Sequence, residues 1–169
     1  GQVGSLSEVV LGPSHSPDGT MNIVGALRRA LASTGYTEVK AFQRIDLIVR
    51  GFCCLRPGVA GWTENVRVRS IIGRFLEHGR VFYFGNGQED PVDGDFYLGS
   101  ADWMDRNFFR RIELAFPVLD EGLKRRVIRE GLKPYLDDNC QSWIMDGDGA
   151  YRRQTPKAGN RYSAQEELL

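Results

Sequence analysis

The sequence predicts an α/β layered domain, a mixed sheet of about five or more strands flanked by helices. Three observations carry that expectation. Short apolar runs ended by glycine recur through the middle of the chain. Apolar residues at helical spacing appear on either side of those runs. And 169 residues, 41% hydrophobic and 26% charged, are enough for one globular core without disulfide staples.

The elements follow in order. Residues 1–20, GQVGSLSEVVLGPSHSPDGT, are rich in Gly, Ser and Pro and show no period, so a loose N-terminal arm containing His15 is expected. The domain proper is expected over 21–169. MNIVGALRRALASTG places Ile23, Ala26, Leu27, Ala30 and Leu31 on one helical face, and Gly35 stops it. RIDLIVRG reads as a buried strand with Arg50 at its C-terminal end. CCLRPGVAGWTEN is a loop by its Pro and Gly content, and VRVRSIIG alternates as a strand does. HGRVFYF is expected to be a third strand, with His78, Arg80, Phe82 and Phe84 on one face. FYLGSAD and RIELAFPV complete five strands. LDEGLKRRVIREGLKPYLDDN carries Leu119, Leu123, Val127, Leu132 and Leu136 near helical spacing, as an amphipathic helix disturbed at Pro134. SWIMDGDGAYRRQ reads as a hairpin turning at Asp146–Gly149, and SAQEELL as a last helical turn.

Composition narrows the function classes. Net charge is zero, which speaks against a generic nucleic-acid binder. No apolar run is long enough to span a membrane, and no basic-then-apolar leader opens the chain. Cys53, Cys54 and Cys140 have no metal-ligand spacing, so reduced thiols, a cytosolic setting and no zinc site are expected. The neutral total hides a basic segment: residues 44–80 hold seven arginines against Asp46, Glu64 and Glu77. Arginine, not lysine, supplies most of the positive charge, and its planar fork grips phosphate through two hydrogen bonds.

Three pieces could converge on a phosphate. Arg50 ends one strand. His78 and Arg80 lie two residues apart, roughly 7 Å along another. GSAD, Gly99 to Asp102, ends a third and is followed by Arg106, Arg110 and Arg111. Ligands of α/β sheets gather at strand ends, and small residues at 99–101 would let backbone amides approach a phosphate oxygen. An imidazole can serve there as nucleophile or proton donor. The bland alternatives are a polar residue at a strand edge, a common turn, and surface ion pairs of little energetic weight. The aromatics Phe82, Tyr83, Phe84, Trp103, Phe108 and Phe109 could stack on bases but read better as packing.

The strings IDLIVRGFCCLRPGV, ENVRVRSIIGRFLEHGRVFYF, GSADWMDRNFFRRIELAFPV and SAQEELL closely resemble the C-terminal phospholipase D-like domain of bacterial polyphosphate kinases, over about residues 45–169. The resemblance implies a phospholipase D-like fold. It also implies reversible transfer of the terminal phosphate of ATP to polyphosphate, with magnesium and a phosphohistidine on a preceding domain. It makes His78 the catalytic histidine and Arg50 an ATP phosphate ligand. Arg80 stands where phospholipase D enzymes carry lysine, and Gly85 where they carry aspartate, which argues against phosphodiester hydrolysis. Ser100, Asp102, Arg106 and Arg110 join the expected phosphate-binding set, with no metal ligand among them. The implied partners are ATP or ADP, polyphosphate, the remaining domains of the kinase and a second copy of the chain. No specific nucleic acid is expected, and the setting is cytoplasmic, with peripheral membrane association as part of the full enzyme. The chain opens on Gly1, so it reads as a domain cut from a longer enzyme or a stand-alone copy, inactive alone because the phosphohistidine domain is missing. Two rival readings are a non-catalytic polyanion-binding module and a dimeric phospholipase D-type phosphodiesterase.

Overall fold

A computed structural model describes residues 44–169, except the side chains of Asp105, Phe108 and Phe109. The expected arm, with His15, and the expected helix ending at Gly35 lie outside the described residues. Within them the chain forms two compact units, 44–79 with 129–169, and 80–128. The α/β class holds, and the strands are shared between two sheets.

The first unit contains a four-stranded sheet in the order β1-β2-β6-β7. β1 (Ile45–Val49) pairs in parallel with β2 (Val66–Ile71), setting Ile45 opposite Val66 and Leu47 opposite Val68. Alternation along β2 turns Val66, Val68 and Ser70 inward and leaves Arg67 exposed. β6 (Ser142–Met145) runs antiparallel to β2 and closes a hairpin with β7 (Tyr151–Arg153). The hairpin turns where the composition places it: Gly149 N–H donates to Asp146 O at 2.9 Å, and Gly149 takes a φ of 90° that a side chain would resist. Val66, Val68 and Met145 form the core, packed by Ile45, Leu47, Val49, Cys53 and Tyr151. Arg69 is half-buried on the same sheet. It donates to the carbonyls of Tyr135 and Leu136, and burial lowers its pKa.

The other unit is an antiparallel meander of β3 (Val81–Phe84), β4 (Asp95–Gly99) and β5 (Ala115–Pro117). A 3₁₀ turn at Pro91–Asp93 precedes β4, capped by the Asp90 carboxylate on Val92 N–H at 3.0 Å. Phe96 is buried between Tyr83, ring centres 4.7 Å apart, and the Lys124 ammonium at 5.9 Å. A short helix, α1 (Asp105–Arg110), links β4 to β5.

The long helix expected over 119–139 is three pieces: α2 (Glu121–Arg126), a π-helical turn (Val127–Leu132) and α3 (Lys133–Asp137). Pro134 is the cause at hand, since it has no N–H to donate and its ring crowds the carbonyl four residues back. The expected apolar face is only partly used: Leu119 and Leu123 are exposed, whereas Val127, Leu132 and Leu136 are half-buried. The last helical turn, α4 (Ala164–Glu167), forms as expected.

Candidate functional site

His78 is not on a strand. β3 begins at Val81, and residues 76–80 are irregular. Backbone groups that a strand would spend on a neighbour are spent here on side chains from far along the chain. Gln165, buried in α4, accepts from Phe75 N–H at 3.0 Å and donates to Phe75 O at 2.7 Å through its amide nitrogen. The same nitrogen lies 2.6 Å from Oε1 of Glu77. The Tyr135 hydroxyl also hydrogen-bonds Glu77, and burial together with that carboxylate raises the Tyr135 pKa to about 12. Arg50, half-buried just after β1, donates from Nη1 to Glu77 O at 3.3 Å. The guanidinium therefore reaches the backbone of the residue before His78, whose own side chain is exposed.

Gln165 is itself located by a buried carboxylate. Asp138, 1% exposed, accepts from Cys140 N–H at 3.0 Å and Gln141 N–H at 2.7 Å through Oδ1, and from Ala164 N–H at 2.8 Å through Oδ2. Three charge-assisted bonds tie the end of α3 to the start of α4, satisfying a helix N–H that Ser163 does not cap. Gly73 makes the close approach possible: a Cβ there would overlap the side-chain oxygens of Gln141 and Gln165.

The other unit holds the remaining expected residues. Arg80 O accepts from Gly99 N–H at 2.9 Å, and a Cβ on Gly99 would meet both the Phe82 ring and Arg80 Cβ, so Arg80 and Phe82 share a face. Arg80 Nη2 sits 2.6 Å from Asp102 Oδ1 in a largely buried ion pair. Asp102 O accepts from the buried Asn107 amide at 3.0 Å. Ser100 gives its hydroxyl hydrogen to the buried Glu113 carboxylate and accepts from Leu114 N–H at 2.9 Å. The expectation that amides at 99–101 face a phosphate is corrected at two positions. Gly99 N–H is spent on Arg80 O and Ser100 N–H on Leu114 O, because both continue the pairing of the sheet. Arg106 and Arg110 are four residues apart on α1, hence on one side of it, and both are exposed. Phe82 stacks on Trp103 at 6.0 Å, and Phe84 meets Tyr97 edge-on at 6.2 Å; Trp103 itself is largely exposed.

Sequence reasoning gave no part to Tyr135, Asp138 or Gln165, which the structure ties to the segment before His78. The one signal for Gln165 was its place in SAQEELL, read only as a helical turn. Among the described residues, no three His, Cys, Asp or Glu side chains come together to hold a metal ion.

The chain is similar to known polyphosphate kinases. Polyphosphate kinase from Paraburkholderia phytofirmans is 58% identical over 134 residues, 79% of this chain and 19% of that protein. The polyphosphate kinase of Neisseria meningitidis serogroup B is 56% identical over 124 residues, 73% of this chain and 18% of its own length. The crystal structure of polyphosphate kinase from Porphyromonas gingivalis superposes with a TM-score of 0.65 at 34% identity, covering 86% of this chain and 20% of that one. The chain thus spans about a fifth of the relatives it matches. The family of the polyphosphate kinase C-terminal domain 2 matches residues 29–165, reaching back past the limit near residue 45 that the resemblance suggested. The chain belongs to that family, the second C-terminal domain of polyphosphate kinases.

Proposed function

We propose that this chain is the nucleotide- and polyphosphate-handling C-terminal part of an enzyme that reversibly moves the terminal phosphate of ATP onto polyphosphate. The observation that carries the reading is the Arg50 guanidinium, 3.3 Å from the carbonyl next to an exposed His78, in a chain 58% identical to a polyphosphate kinase. Phosphoryl transfer asks a protein mainly for positioning and for positive charge around the moving group. Arg50 supplies fixed charge for the ATP phosphates. His78 contacts the same phosphates and can give a proton to the oxygen that leaves. In the other unit, Ser100, Arg106 and Arg110, with Arg80 and its partner Asp102, are phosphate-binding residues of this reading in their own right. Magnesium would neutralise phosphate charge in such a reaction, but no step is assigned to it through these residues. ATP or ADP, polyphosphate and the rest of the kinase polypeptide are the partners of this reading.

The test is ATP-dependent polyphosphate synthesis by the chain alone and by the chain supplied with the remaining domains of a relative. Synthesis is expected only in the second case, and His78→Ala should abolish it while leaving the circular dichroism spectrum intact. Robust synthesis by the chain alone, or full activity of His78→Ala, contradicts the reading. Polyphosphate binding with no activity in either case would instead favour the non-catalytic polyanion-binding module.

A further inference from the structure

Glu77 is the acid next to His78 in the chain, and its position invites a direct chemical role as a base or a phosphate-bound metal ligand. The contacts point elsewhere. One carboxylate oxygen is taken by Gln165 Nε2 at 2.6 Å, and the Tyr135 hydroxyl bonds the same carboxylate. Its carbonyl is taken by Arg50. Phe75, two residues earlier, is held on both backbone groups by Gln165. Glu77 is half-buried where His78 is exposed.

We propose that Glu77 is a positioning residue, an inward anchor gripped by Gln165 and Tyr135 that presents His78 to a phosphate ligand. Three elements, the end of β1, α3 and α4, hold one irregular segment and leave its histidine fixed in direction. The grip is a fully polar network in which each donor is itself located: Gln165 by Asp138 through Ala164, Tyr135 by its place on α3. Bonds to a carboxylate are the stronger kind, and two of them limit the directions open to the backbone at residue 77. The presentation of His78 to phosphate rests on the proposed function; the anchoring does not.

The chain has only two histidines, His15 and His78, so the imidazole Cε1–H signals in an NMR spectrum of the full chain are assigned with a single His15→Asn variant. Tyr135→Phe removes one donor at nearly constant volume, Gln165→Leu removes the Glu77 bond together with both bonds to Phe75, and Glu77→Ala removes the acceptor alone. The His78 signal is expected to move towards the free-imidazole position in all three. Affinity for tripolyphosphate should fall about threefold in Tyr135→Phe and about tenfold in Gln165→Leu and Glu77→Ala, with the larger loss where more than one bond is removed. Glu77→Ala could fail to fold, and Tyr135→Phe, a one-atom deletion, keeps the test alive. A His78 signal and a pH titration of that signal identical to wild type in folded Tyr135→Phe and Gln165→Leu would overturn the proposal. If tripolyphosphate does not move the wild-type His78 signal, the phosphate reading fails, while the variant spectra still decide whether Glu77 is the anchor.

Discussion

His78 and Arg80 are two residues apart, yet they are held by different physics. Arg80 stands at the mouth of β3: its carbonyl takes part in sheet pairing through Gly99, and its side chain is locked to Asp102 in the same unit. His78 belongs to no sheet. Its segment hangs on side chains about 60 and 90 residues along the chain, Tyr135 and Gln165, which order backbone that has no strand neighbour. A sheet ladder fixes a residue through local repetition. A side-chain clamp fixes it through a few long-range bonds, so its loss should be abrupt and confined to one place.

That contrast can be broken most forcefully at Asp138. Asp138→Ala leaves three N–H groups, two of them buried, without their acceptor and should cost about 3 kcal/mol in urea unfolding, loosening α4 and with it the His78 segment. Arg80→Ala should cost about 2 kcal/mol by leaving the Asp102 carboxylate largely buried and unpaired, without moving the His78 NMR signal. A shift of that signal comparable to the one in Asp138→Ala would erase the distinction between the two regions. Gly73→Ala should also cost about 2 kcal/mol, by forcing a methyl group against Gln141 and Gln165.

Tyr135 sharpens the comparison on the alkaline side. Its folded pKa of about 12 lies above the usual value of 10.0 for a free tyrosine. The folded chain therefore holds this proton more tightly than the unfolded one. The stability it contributes is complete below pH 10 and lost as pH rises towards 12. Absorbance at high pH should show a tyrosine step near 12 that is missing in Tyr135→Phe. The smallest effect is expected at Arg125, whose pairs with Glu121 and Asp90 lie in solvent: Arg125→Ala should leave the thermal midpoint where it was.

The sequence was readable where structure is local. β1 follows from an apolar run ended by glycine, β2 from alternation, β4 from a run ending in small residues, the hairpin of β6 and β7 from the Asp146–Gly149 turn, and α4 from SAQEELL. The arrangement of β1 and β2 leaves Arg50 at the end of a strand, as its position after an apolar run suggested. The period failed at His78: HGRVFYF alternates as well as any strand, yet β3 begins only at Val81, and the backbone just before His78 is held by Arg50 and Gln165. It failed again at Leu119 and Leu123, where helical spacing is right and the expected neighbour is not packed on them. Ser100 illustrates the limit of motif reading: its hydroxyl sits in GSAD as expected, yet its hydrogen goes to Glu113, thirteen residues on.

The central claim is that the Arg50 guanidinium and the His78 imidazole bind phosphate. Calorimetric titration of the full chain with tripolyphosphate at two salt concentrations tests it most directly. Micromolar binding that weakens with salt, and falls at least about tenfold in both Arg50→Ala and His78→Gln, is the predicted result. Binding of equal strength in wild type and both variants, or none in a folded wild type, would contradict it.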